Sequence, residues 1–182
     1  MCALFACISH SGLFAQTQFL EKNESGVGVG LGVLLTNERG QNVYEFELGS
    51  NPISHFDVGF AVQAPFDDEF VGAVSLAFHP VIANQGVAVS LSKNLFGKAY
   101  SAGLEGYVRI INRSSIVMGR IFGGFTSMTG SNSKVRFTGV ALSFAFPVGK
   151  NNLIVLTPQF VRFGGSTSLN FAGISVGLIF GK

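Results

Sequence analysis

Gly139-Val140-Ala141-Leu142-Ser143-Phe144-Ala145-Phe146 is the stretch on which the fold turns. Its large apolar residues, Val140, Leu142, Phe144 and Phe146, occupy every second position, and Gly139, Ala141, Ser143 and Ala145 fill the places between them. In an extended chain successive side chains point to opposite faces, so this pattern builds a strand with one bulky apolar face and one face of small residues. A strand of a soluble sandwich would set its apolar face against a solvent face of Lys, Glu, Thr and Gln. Here the second face is small or weakly polar. Such a face suits the crowded inside of a narrow barrel, and the large apolar face suits hydrocarbon. The same division recurs in Val27, Val29, Leu31 and Val33 against Gly26, Gly28, Gly30 and Gly32. It recurs again in Val74, Leu76 and Phe78 against Ala73, Ser75 and Ala77, and in Val87, Val89 and Leu91 against Ala88, Ser90 and Ser92. Val74, Leu76, Phe78, Leu142 and Phe144 are therefore expected to face lipid.

From Ser25 onward this alternation is broken at short intervals by turn-forming clusters such as Asn37-Glu38-Arg39-Gly40, Gly49-Ser50-Asn51-Pro52 and Gly149-Lys150-Asn151-Asn152. The segments between them predict strands near 25–36, 40–49, 54–64, 68–79, 85–94, 98–112, 114–127, 134–147, 151–164 and 168–181. That makes about ten, with eight as the nearest alternative. Lipid supplies no hydrogen bonds, so strands placed in it must close and leave no unpaired edge. The expected fold is all-β, a closed antiparallel up-and-down transmembrane barrel over 25–182. An even strand number returns both chain ends to one side.

Composition agrees with this picture. Charged residues make up 12% of the 182 residues, about half the usual share, while 24 Gly and 19 Phe stand in place of a charged coat. A net charge of +2, scattered along the chain, does not build a nucleic-acid surface. The run Gly26-Val27-Gly28-Val29-Gly30-Leu31-Gly32 lacks the spacing and the following helix of a dinucleotide loop, and its period of two makes it a strand.

Residues 1–15 are apolar and carry no Lys, Arg, Asp or Glu, and Leu13-Phe14-Ala15 before Gln16 resembles a signal-peptidase site, with a small residue just before the cut. The segment lacks a basic beginning, so the recorded start is expected to lie downstream of the true one. Alternatives are a buried first element, or a lipoprotein box at Leu4-Phe5-Ala6-Cys7. Cleavage after Ala15 leaves 16–24 as a short lead and removes Cys2 and Cys7. The mature chain would then have no thiol chemistry, and neither a metal nor a cofactor is expected. Outside the first segment no apolar run approaches the ~18 residues of a spanning helix.

The final segment, Ala172-Gly173-Ile174-Ser175-Val176-Gly177-Leu178-Ile179-Phe180-Gly181-Lys182, resembles the terminal strand of bacterial outer-membrane barrels. Ile174, Val176, Leu178 and Phe180 supply the alternating apolar residues and near-terminal aromatic of that strand, with Gly181 and Lys182 following. In architecture the whole chain after the signal resembles small barrels of the OmpA and OmpX type. That resemblance implies an outer-membrane location and, as partners, lipid and the barrel-assembly machinery, with the monomer as the expected state. The chain has no Trp, so Phe and Tyr would have to form the interfacial belt.

Parity also places charges inside. If Tyr44, Phe46 and Leu48 face lipid, Glu45 and Glu47 point inward, and Phe56, Val58 and Phe60 likewise send Asp57 inward. Leu104, Val108 and Ile110 outside turn Glu105, Tyr107 and Arg109 in, and Ile121 outside adds Arg120. Glu45 and Asp57 are expected as near cross-strand neighbours, with the acids of strands two and three facing the arginines of strands six and seven across the lumen. The alternative is that these are solvated side chains of a wet lumen. His55 and His79 stand in no recognisable catalytic arrangement. Three functions follow from these expectations. The first is a structural envelope barrel with an ion-pair-plugged lumen, the second a narrow passive pore for small solutes or ions, and the third a lipid-modifying barrel enzyme.

Overall fold

The computed structural model describes Phe19 and residues 25–37, 42–53, 55–65, 71–80, 84–95, 99–112, 115–128, 134–164 and 169–181. The expected signal peptide over 1–15 lies outside the described residues, as does most of the lead over 16–24. The alternating segments form ten strands: β1 Gly26–Thr36, β2 Val43–Ile53, β3 Phe56–Pro65, β4 Val71–Phe78, β5 Gln85–Asn94, β6 Ala99–Asn112, β7 Ser115–Met128, β8 Lys134–Val148, β9 Asn152–Gly164 and β10 Leu169–Gly181. Each pairs antiparallel with its chain neighbours, and β1 pairs with β10 to close the ring. The strand number is ten, not eight.

Two ends are distinguished by the connections. The end at which β1 begins and β10 finishes, called here the termini end, carries the tight links β2–β3, β6–β7 and β8–β9 and the longer link β4–β5. In the β8–β9 turn Gly149 adopts a positive φ of 71° that favours glycine. The opposite end, called here the loop end, carries the links β1–β2, β3–β4, β5–β6, β7–β8 and β9–β10. One expected break is displaced. Gly49-Ser50-Asn51-Pro52 is not a turn, because β2 runs on through Pro52 to Ile53 with a register irregularity between Ser50 and Ile53. The irregularity accommodates a residue that has no N–H to donate. The Asn51 side chain extends the β1–β2 pairing instead, its Oδ1 accepting a hydrogen bond from the Gly26 amide at 2.5 Å.

The outer wall carries the large apolar residues. Leu31, Ile110 and Ile121 are 65–66% exposed, and Val74, Leu76, Phe78 and Leu142 also lie open on it, with Phe144 half-buried among them. On β10 the outward set is Ile174, Val176, Leu178 and Phe180. Tyr44, Tyr100 and Phe125 stand on the outer wall near the loop end, and Phe56, Phe78, Phe146 and Phe180 near the termini end. Phe56 and Phe78 touch there, ring centroids 4.9 Å apart. The inner face is what a soluble protein would show to water: Glu45, Glu47, Asp57, Gln63, Arg109 and Arg120 are all buried in the lumen.

Candidate functional site in the lumen

The lumen is divided by what each wall contributes. Strands β3 to β5 send in mostly small side chains, Ala61, Ala73, Ser75, Ala77, Ala88 and Ser92, and β1 sends in Gly26, Gly28 and Gly30. The long charged side chains Glu45, Glu47, Glu105, Arg109 and Arg120 enter from β2, β6 and β7, and the small residues of β1 and β3 to β5 leave them room to extend. At the loop end an apolar cluster forms from Leu34, Val43, Phe122, Phe137, Val161, Phe163, Leu169 and Phe171. Phe163 packs edge-on against Phe171 at 5.5 Å and lies 6.0 Å from Phe137, the spacing of favourable aromatic pairs. Glycines on the adjacent strand seat these rings: a Cβ on Gly139 would run into Phe122, and one on Gly124 into Phe137. At the termini end Phe19, 3% exposed, packs with Tyr107, Met118, Ala145, Val155 and Ile179. A residue ahead of the first strand thus sits among inward-facing residues of five strands.

Between these clusters lie the polar groups. Glu45 faces its register partner Gln63, whose Nε2 donates to Glu45 Oε1 at 3.0 Å. Asp57 lies near the other end of β3, so the expected Glu45–Asp57 neighbourhood does not form. The antiparallel register carries the two residues toward opposite mouths. Asp57 instead meets His79, Nε2 to Oδ2 at 2.8 Å, with both side chains 1% exposed. The carboxylate can only accept while ionised, so His79 Nε2 carries the proton in that bond. The backbone supports the pair, since the His79 amide donates to the His55 carbonyl at 2.8 Å and His55 Nδ1 donates to the His79 carbonyl at 2.6 Å. The Tyr107 ring stands edge-on to His79, 6.4 Å away.

Arg120 and Glu105 are 3.8 Å apart, within ion-pair reach. They belong to adjacent strands, Arg120 being the register partner of Tyr107, so this pair runs along one wall, not across the lumen. Arg109 is 7% exposed and Glu47 1%. Ser92 and Ser101 hydrogen-bond to each other on β5 and β6, and Thr157 donates to Ser143 at 2.9 Å on β9 and β8.

No protein-family profile and no curated protein matches the chain. Solved structures similar to it include outer-membrane β-barrels, at low identity. The N-terminal β-barrel domain of Pseudomonas aeruginosa OprF has a TM-score of 0.37 and 13% identity, covering 85% of this chain and 97% of that one. Neisserial surface protein A gives 0.42 and 10%, covering 86% and 95%. The attachment invasion locus protein Ail of Yersinia pestis, solved with the heparin analogue sucrose octasulfate, gives 0.38 and 10%, covering 89% and 100%.

Sequence reasoning missed His79, Gln63 and Phe19 as lumen residues. For His79 the signal was present: Phe78 faces out, so the next residue faces in, on the strand beside Asp57. Gln63 follows from the same parity. Phe19 carried no signal, because nothing in the polar lead around it is periodic. Among the described residues no group of three or more His, Cys, Asp or Glu is placed to hold a metal ion.

Proposed function

We propose that the chain is an integral outer-membrane barrel with a structural role in the cell envelope and a lumen closed by its own side chains. The observation that carries this reading is the burial of Glu45, Glu47, Asp57, Arg109 and Arg120, each 7% exposed or less, between apolar clusters near both mouths. Charges that lined a water-filled pore would stay hydrated and exposed. Here the long side chains fill the space that the glycine, alanine and serine walls leave. The placement in a membrane rests on the inverted polarity of the wall, which no soluble surface would carry over so many strands. Export by the cleavable segment over 1–15, and recognition of Ile174, Val176, Leu178 and Phe180 by the assembly machinery, complete the reading.

A lipid-modifying activity fits less well. The Asp57–His79 pair would be its natural centre, yet both side chains are 1% exposed inside the barrel and out of reach of lipid. The pore reading is separated from the plug by single-channel conductance in planar bilayers. Wild type is expected to conduct little. An Arg109→Ala, Arg120→Ala double variant is expected either to conduct more or to lose stability by about 3–5 kcal/mol, since removing one sign of charge leaves the other buried and uncompensated. Large and equal conductance in both would show an open pore.

A further inference from the structure

We propose that the loop-end rim of the outer wall over β8 and β9 is a docking site for a phosphate-bearing lipid headgroup, an inference that rests on the membrane-barrel reading above. Every acid on the described strands, Glu45, Glu47, Asp57 and Glu105, faces the lumen. The charged residues that the described strands turn outward are Lys93, Lys134, Arg136 and Arg162, all cations and all exposed. All four lie within three residues of a loop-end strand terminus. Among the described strand residues the outer wall near the termini carries no charge. On the described strands, then, the outward charge is confined to the loop-end part of the apolar wall and is wholly cationic.

Three of the four cations form one patch. Lys134 and Arg136 are two positions apart on β8 and share its outer face. Arg136 is the register partner of Gly164, and Thr138 that of Arg162, which makes Arg136 and Arg162 diagonal neighbours on paired strands. Diagonal neighbours on one face lie within reach of long side chains. Lys134 is held in place, its Nζ 5.2 Å from the centre of the Phe125 ring on β7. Below the patch the same strands present Val140 and Phe160, both exposed and apolar.

A ligand for this rim must join a net anionic phosphate head to an apolar tail, and a phosphoglycolipid does, whereas phosphatidylcholine balances its phosphate with a cation of its own. Its phosphate would take the guanidinium forks of Arg136 and Arg162, which match phosphate geometry two bonds at a time, with Lys134 as a point charge beside them. Its acyl chains would lie down the wall over Val140 and Phe160. The cost of placing cations on a lipid-facing wall is small near the interface and large at the midplane, in keeping with where these four sit.

The test uses the full chain inserted into phosphatidylcholine vesicles with and without added lipid A, extracted gently and weighed by native mass spectrometry. Wild type should retain lipid A. An Arg136→Gln, Arg162→Gln variant should retain it at least tenfold less, the effect of losing a charge-assisted hydrogen bond. Lys150→Gln, in the turn at the other end, should behave as wild type. If the double Gln variant does not insert, Arg136→Lys, Arg162→Lys replaces it and should also retain less, because it keeps the charge and loses the fork. Equal retention by wild type and the Arg variants would overturn the site, leaving attraction by net charge alone. So would displacement of lipid A by equimolar inorganic phosphate, which would mark an ion site with no part played by the tail. Failure of wild type to insert into either vesicle would defeat the membrane-barrel reading itself, and is told apart by the absence of any membrane-bound band.

Discussion

His79 and Asp57 make a polar contact inside the lumen with both side chains 1% exposed. Each has given up water, so truncating one leaves the other desolvated without its partner, which typically costs about 1–3 kcal/mol. Asp57→Asn and His79→Gln should each lower the urea midpoint of the lipid-inserted barrel. The double variant should lose less than the sum, by a coupling of about 0.5–3 kcal/mol. Additive losses would mean that the 2.8 Å contact contributes nothing as a pair. Glu45 and Gln63 are joined in the same way across one register step. In both pairs parity shows that the residues point inward, but only the register says which of them meet. That is why the charges were legible in the sequence and their partners were not.

At the scale of the element, β8 shows how far alternation alone decides structure. Its outward set Val140, Leu142 and Phe146 is exposed, and its inward set Gly139, Ala141, Ser143 and Ala145 is buried. Leu142→Arg should therefore destabilise the lipid-inserted barrel by ~2–4 kcal/mol, while Ala141→Ser, on the inner face, should change little. Unfolding titrations in lipid read this directly, and no loss for Leu142→Arg would mean that the two faces are exchanged. Strand positions were legible because a period of two follows from backbone geometry and survives any tertiary context. The β2–β3 turn was not, because Pro52 resembles a strand breaker and here sits in a strand that tolerates it through an irregular register. Glu45 and Asp57 were misjudged as neighbours for a related reason. Their separation depends on where β2 ends, and that end lies four residues beyond the predicted one.

For the whole molecule the decisive contact is the one between its first and last strands. Nine of the ten strand pairings join elements consecutive in sequence, and only β1 with β10 requires the chain to come round. That seam runs in register from Gly26 opposite Gly181 to Thr36 opposite Phe171. Were it to open within lipid, two edges would lie bare, each unpaired backbone group costing several kcal/mol, so closure is all or nothing. Gly173 sits at its tightest point. A Cβ there would run into the Val33 carbonyl oxygen and the Leu34 side chain of β1. The backbone of the neighbouring strand cannot yield without breaking ladder bonds, so Gly173→Val should impair closure although it adds an apolar residue of good strand propensity. Gly119 provides the comparison, because it faces outward on β7 and a Cβ there meets nothing within 4 Å. Gly119→Val should insert and close normally. Closed barrels resist unheated SDS and migrate faster than the unfolded chain, so the two variants can be read side by side on one gel. The fast band should be weakened or lost for Gly173→Val and retained for Gly119→Val. Equal fast bands would show that the seam has slack, and that barrel closure does not depend on glycine at its closest approach.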